Sequence, residues 1–231
     1  RVQIFYIKKI AKMKSSRGLS SSFRLLKSRL FPNAKLFSTF KEAREVGIVG
    51  AGLMGSGISV LANALTDKKI RLIDLNHKAL DGCEAYINWW LDKEVRKGRI
   101  NDGERDEFLS KISFSTDFST LKDADLVIES VSENYEAKKI AMQDLDKVVP
   151  SDCVVASTTS SMSITRIASF TNRPGYVVGV HFLYPVPVIK MVEVIKGLHT
   201  TDETHKMGLD LARSLNKNIV EAKDVPGFLI N

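Results

Sequence analysis

The chain has 231 residues, 44% of them apolar and 26% charged, which is room for one large domain or one domain and part of a second. Its net charge of +7 suggests a nucleic-acid partner until the charge is located: residues 1 to 41 hold eleven Lys and Arg and no acid. The remainder carries a net −4, so no nucleic-acid partner is expected. No run reaches the roughly 18 apolar residues of a membrane span.

Residues 1 to 41 form a basic extension rich in Arg, Lys and Ser, with Phe23, Leu26 and Leu30 on one face of a short amphipathic helix. This is the composition of a mitochondrial presequence, which implies the mitochondrial matrix; a disordered basic tail is the alternative. The chain opens on Arg1, and Met13 reads as the start of translation. From Val46 onward short apolar runs alternate with longer helical stretches, the pattern of a parallel sheet with crossover helices. Strands are expected near 46–50, 70–74, 126–130, 153–157, 177–181 and 189–195, and helices near 53–65, 76–97, 103–110, 134–148, 162–169 and 202–216. The stretch from Asn76 to Lys111 is too long for one crossover, and its Gly98-to-Gly103 turn predicts a helical hairpin inserted into the fold. Cys83 and Cys153 are isolated and read as buried, reduced fillers, with no metal-ligand spacing.

"VGIVGAGLMGSGI" places Gly50, Gly52 and Gly55 in G-x-G-x-x-G register after a strand and at the opening of a helix. The first glycine makes the tight turn, the second admits a pyrophosphate to the backbone, and the third lets helix and strand approach. Leu53 and Met54 then open a helix whose free N–H groups and positive dipole end suit phosphates. The next strand ends in Asp74, placed to take the adenosine ribose hydroxyls and to repel a 2′-phosphate. NAD is the expected cofactor, in a Rossmann-type doubly wound α/β fold. "GVHFLYPVPVIKMVEV" poses a different question. His181 ends one apolar run, Pro185 and Pro187 break any ladder, and Glu193 sits inside a second apolar run. A carboxylate there is costly unless paired. On residue types alone, the plainer reading is a core histidine bonded to a backbone carbonyl.

Taken in order, the glycine turn, "ADLVIESVSEN", "STTSSMSIT", "GVHFLYPVPVIKMVEVIKG" and "KDVPGFLIN" resemble the L-3-hydroxyacyl-CoA dehydrogenase family, which includes the 3-hydroxybutyryl-CoA dehydrogenases. The resemblance spans residues 46 to 231. It implies oxidation of the 3-hydroxyl of an acyl-CoA to a ketone with hydride passing to NAD, as in fatty-acid β-oxidation. It also implies His181 as general base, Glu193 as the carboxylate orienting it, and Ser160 as the hydroxyl bonded to the substrate oxygen. By the same resemblance Glu133 and Lys138 lie near the nicotinamide ribose, Asn231 is an active-site asparagine, Lys97 meets CoA phosphates, and Tyr184 borders the substrate. Several have a plainer alternative: Ser160 as a helix N-cap, Glu133 and Lys138 as a solvated helix face, Lys97 as one charge among Lys93, Arg96 and Arg99. Thr158 and Tyr184 depart from the family's usual Asn, and Asn or Ser.

The domain boundaries that follow are 1–41 for the extension, 42–222 for the NAD-binding domain and 223–231 for the start of a helical C-terminal domain. The family dimerises through that domain, so a homodimer is expected of the complete protein. Two other functions share these features: a dehydrogenase of small hydroxy or sugar acids, and a non-catalytic NAD-binding relative.

Overall fold

The computed structural model describes residues 43–66 and 68–230, so the basic extension and Asn231 lie outside the described residues. Eight strands form one sheet: β1 Glu45–Val49, β2 Lys69–Ile73, β3 Ile112–Ser115, β4 Leu126–Glu129, β5 Val154–Ser157, β6 Val177–Phe182, β7 Met191–Lys196 and β8 Asn218–Lys223. Their order is β3-β2-β1-β4-β5-β6-β7-β8. The first six are parallel neighbours, in the doubly wound Rossmann order. The β6–β7 pair is antiparallel and β8 returns parallel to β7. β1, β4, β5 and β6 are buried along their whole length, which is why they read as unbroken apolar runs.

Helices α1 Leu53–Leu65, α2 His77–Arg96, α3 Asp102–Ser110 and α6 Asp202–Ser214 are joined by α4 Tyr135–Val148 and α5 Ile164–Ala168. Alternate strand residues face two cores. Ile48 and Ile128 join Ile58, Leu80 and Leu211 on one face; Val49 and Val127 join Met142, Leu145 and Ile167 on the other. The expected hairpin is present as α2 and α3, clasped by Arg105, whose guanidinium bonds Asp92 and Asn88 of α2, each at 2.8 Å. Local signals explain the helix starts. Asn76, Asn134 and Thr201 cap their helices, and Asn101 with Glu104 forms a capping box.

β3 and β8 were not foreseen. "ISFS" and "NIVEAK" are edge strands, partly exposed and interrupted by polar residues, so neither carries the apolar run that marks the central strands. Cys83 and Cys153 are buried and free, and burial pushes their thiols up to about 11 and about 12. Neither is a nucleophile at neutral pH.

One long-range tie holds the end of β8 to α5. Asp224 accepts from Ser163 Oγ at 3.0 Å, Ile164 N at 2.8 Å, Thr165 N at 2.8 Å and Thr165 Oγ1 at 2.5 Å. A carboxylate at a helix start also meets the positive dipole end. Asp224→Ala is expected to destabilise the fold by about 1–3 kcal/mol, the usual worth of hydrogen bonds to a charged group. Chemical denaturation checks this, and an unchanged midpoint would show that the four bonds are replaced by water without loss.

Candidate active site

The turn between β1 and α1 is built as the glycine spacing requires. Gly50 has φ +107°, and a Cβ there would stand 2.3 Å from the Ser130 carbonyl oxygen. A Cβ on Gly55 would fall 1.8 Å from the Gly50 oxygen, so the helix could not approach the strand. Gly52, the N-cap of α1, has open space where a Cβ would be, and no side chain caps its helix. The free N–H groups therefore face a cavity of about 680 Å³ whose wall includes Gly50, Gly52, Leu53, Met54 and Asp74. That cavity lies where β1 and β4 run to opposite crossovers, the switch point at which such sheets bind ligands. Asp74 Oδ2 accepts from Ala51 N and Oδ1 from Asn76 N, each at 2.8 Å. The same carboxylate thus fixes the turn and stands at the cavity wall with a second lone pair on each oxygen. A dinucleotide fits this donor set: bare amides for the pyrophosphate, an anchored carboxylate for the ribose.

A second cluster grows from the carboxyl ends of β4 and β5. Glu129 is fully buried, and its Oε1 accepts from Lys138 Nζ at 2.9 Å and Val131 N at 2.9 Å. Its Oε2 accepts from Ser157 Oγ at 2.5 Å. Lys138, also fully buried, stands 3.4 Å from Glu133 Oε2. Glu133 Oε1 in turn accepts from Thr159 Oγ1 at 2.6 Å, Ser160 N at 2.8 Å and Ser160 Oγ at 3.3 Å. Burial pushes the Glu133 carboxyl up, but the Thr159 hydroxyl, the Lys138 ammonium and the Ser160 N–H together hold it below the ordinary carboxylate range. The solvated-face alternative fails for Lys138, which lies in the interior. The N-cap alternative fails for Ser160, because Ser163 caps α5. Glu129 was missed by sequence reasoning; the signal was there, an acid closing the apolar run "ADLVIE".

The third group is the pair that the antiparallel register places opposite one another, His181 on β6 and Glu193 on β7. His181 Nδ1 lies 2.7 Å from Glu193 Oε2, and Glu193 Oε1 accepts from Leu229 N at 2.8 Å. Both side chains are buried, and the Phe228 ring lies 5.9 Å from the imidazole, centroid to centroid. A carboxylate only accepts, so Nδ1 carries the hydrogen and Nε2 of the neutral ring is left as an acceptor. The backbone-carbonyl alternative for His181 therefore fails. Tyr184, on the β6–β7 loop, is 53% exposed and close enough to Tyr86 of α2 to add to the upward shift that burial gives that phenol. Lys97 stands apart at the hairpin turn, 3.5 Å from Glu94, and outside the cavity wall. Among the described residues no cluster of His, Cys, Asp and Glu could hold a metal ion.

A dinucleotide cradle and a buried His–Glu pair on one sheet define the class of protein: the cofactor-binding part of a dehydrogenase. The chain belongs to the 3-hydroxyacyl-CoA dehydrogenase family, whose NAD-binding domain matches residues 45–225. It is 40% identical over 190 residues to a probable 3-hydroxybutyryl-CoA dehydrogenase of Bacillus subtilis, covering 82% of this chain and 66% of that protein. The human mitochondrial hydroxyacyl-coenzyme A dehydrogenase is 37% identical over 194 residues, covering 81% and 62%. The crystal structure of (S)-3-hydroxybutyryl-CoA dehydrogenase from Ralstonia eutropha superposes with TM-score 0.78 at 36% identity, covering 82% of this chain and 67% of that one. The chain thus spans a little under two thirds to two thirds of the length of these relatives.

Two outcomes are expected of this site. Gly55→Ala should abolish measurable NADH binding in a fluorescence titration, since its methyl would displace the Gly50 carbonyl; retained affinity would show the turn can relax. Glu133→Gln should flatten the acid side of the stability profile. The folded carboxylate titrates below its unfolded value, so its contribution is complete above the ordinary carboxylate range and is lost as pH falls through the lowered pKa. Melting temperatures of both proteins between about pH 6 and pH 3 check this. Parallel curves would show that Glu133 is not the titrating anchor.

Proposed function

We propose that this protein is an NAD-dependent L-3-hydroxyacyl-CoA dehydrogenase that oxidises the 3-hydroxyl of an acyl-CoA to the 3-ketone. The observation that carries the reading is the 2.7 Å His181–Glu193 pair, set at the carboxyl end of a sheet whose NAD-binding family is established. NAD, when bound, supplies the hydride acceptor. His181 Nε2 takes the hydroxyl proton, a task suited to an imidazole because its ordinary pKa is near neutrality. Glu193 balances the imidazolium that results and holds the ring through Nδ1–H, the logic of a His–carboxylate pair. The Leu229 N–H fixes the other Glu193 oxygen, so ring and carboxylate share one orientation. Phe228 lies against the imidazole and limits water on that side.

Ser160 serves the substrate oxygen, since a hydroxyl can accept from the alcohol and donate to the ketone. Its backbone N–H is held by Glu133, and Glu133 by the buried Lys138, so the serine is placed from the core outward. Asn231, two residues beyond Leu229, and Lys97 are proposed as substrate contacts, the latter for CoA phosphates. Mitochondrial location is proposed from the acid-free basic extension and from the human relative's mitochondrial name; bacterial relatives match at similar identity.

Full-length protein should form NADH from 3-hydroxybutyryl-CoA and not from free 3-hydroxybutyrate. Activity on the free acid alone would replace this reading with a small-hydroxy-acid dehydrogenase, and activity on neither would leave a binding protein. His181→Gln should lower kcat by about 10²–10⁴, the usual worth of a positioned base, with NADH affinity unchanged. Wild-type turnover in that variant would remove His181 from its role.

A further inference from the structure

The loop joining His181 to Glu193, residues 183 to 190, is held from beneath by a residue outside every group described so far. Lys217 follows α6, where Asn216 adopts φ +55° and turns the chain back toward the sheet. Its own N–H donates to Ala212 O at 3.0 Å, and the next residue, Asn218, donates to Lys190 O at 2.6 Å. The Lys217 side chain thereby reaches under the loop, and Nζ donates to Val186 O at 2.5 Å and Ile189 O at 2.6 Å. Among the described residues no carboxylate forms an ion pair with it. Burial alone lowers the ammonium to about 8.

An ammonium taken from water without a counter-charge is costly. A hydrophobic side chain of similar length would avoid that cost but would leave the Val186 and Ile189 carbonyls without this donor, so the lysine's role lies in those two bonds. What the lysine does, and a methionine could not, is fix two carbonyls three residues apart in one loop. That loop is also pinned from above: a Cβ on Gly57 of α1 would come within 3.0 Å of Val186 Cβ, so Val186 is seated on the helix. Held by α1 on one side and Lys217 on the other, the loop cannot shift without moving the ends of β6 and β7. Those strands carry His181 and Glu193.

We propose that Lys217 is a positioning residue of this site, locking the β6–β7 loop so that His181 and Glu193 keep their relative geometry and Tyr184 its place beside α2. The inference rests on the dehydrogenase reading for its kinetic arm. Misplacement of reacting groups by about 1 Å costs on the order of 10²-fold in rate, and that sets the scale of the expected effect.

The test uses the full-length protein with Lys217→Met, which keeps the stem and removes the donor, and Lys217→Arg, which keeps a donor. Lys217→Met should lower kcat for 3-hydroxybutyryl-CoA by about 10-fold to 10²-fold, while NADH affinity holds and the melting temperature falls at most slightly. Amide exchange should accelerate in residues 183–190 and not in the central strands, and Lys217→Arg should recover part of kcat. Wild-type kcat in Lys217→Met would overturn the proposal, as would a rate loss accompanied by faster exchange throughout the sheet, which marks a general structural role. If the wild-type protein turns over no hydroxyacyl-CoA, the dehydrogenase reading falls, and the exchange measurement still decides whether Lys217 holds the loop.

Discussion

The site depends on one register. Only where β7 turns back antiparallel to β6 do His181 and Glu193 come directly opposite, with their side chains on the same face of the sheet. A slip of one residue would send Glu193 to the other face, among Val180, Phe182 and Val194. A buried carboxylate left there without a partner would cost several kcal/mol, about 3–5 by the measured loss when one half of a buried pair is removed. The pair therefore specifies the register as much as the register creates the pair. The apolar residues that alternate with it, Val180 and Phe182 on β6 and Val192 and Val194 on β7, fill the opposite core and reinforce the same alignment.

The polar groups are concentrated on one face and at one edge. Val49, Glu129, Ser157, Gly179 and Ile195 are consecutive partners across β1, β4, β5, β6 and β7. Glu129 and Ser157 join within that row, and His181 follows Gly179 by two residues, on the same side. This is the face covered by α4 and α5. Gly179 lets α5 come close, since a Cβ there would stand 2.7 Å from Ile164 Cδ1. The short α5 is tied at its start by Asp224, and the segment just before it carries Ser160. Cofactor turn, serine and histidine are thus set at the carboxyl ends of β1, β5 and β6 of one continuous sheet, so their spacing is inherited from strands about 4.8 Å apart.

Burying so many polar groups would destabilise the fold if any were left unmatched, and nearly all are matched. Both oxygens of Glu129, both of Glu193 and both of Asp224 have donors. Among the described residues only Asn63 Oδ1 and Ser130 Oγ are buried without a partner. Ser130 is one of the residues of the cavity wall, beside the turn that would cradle the pyrophosphate. The charges of the network alternate: Glu129, Lys138, Glu133. Such a chain positions Ser160 without requiring the serine itself to be buried.

Much of this was legible in the sequence because it is local. The glycine spacing, Asp74 at a strand end and the central apolar strands follow from residues within a few positions of one another. So does the α2–α3 hairpin, marked by its own turn. His181 and Glu193 stood out by their cost as polar residues in apolar runs, and family resemblance paired them; the 2.7 Å bond and the antiparallel register that makes it came only from the fold. The same holds for Glu129, Ser157 and Lys138, for the Asp224 cap on α5 some 60 residues away, and for Lys217 beneath the β6–β7 loop. Edge strands β3 and β8 were hidden because half-exposed strands need no apolar run. Sequence by itself determined the elements and the cofactor turn, since periodicity and backbone conformation are set by neighbouring residues. Which buried carboxylate meets which donor was decided only by tertiary structure, because that pairing depends on strand order and register, and nothing local in the chain encodes the distance between residues brought together from separate strands.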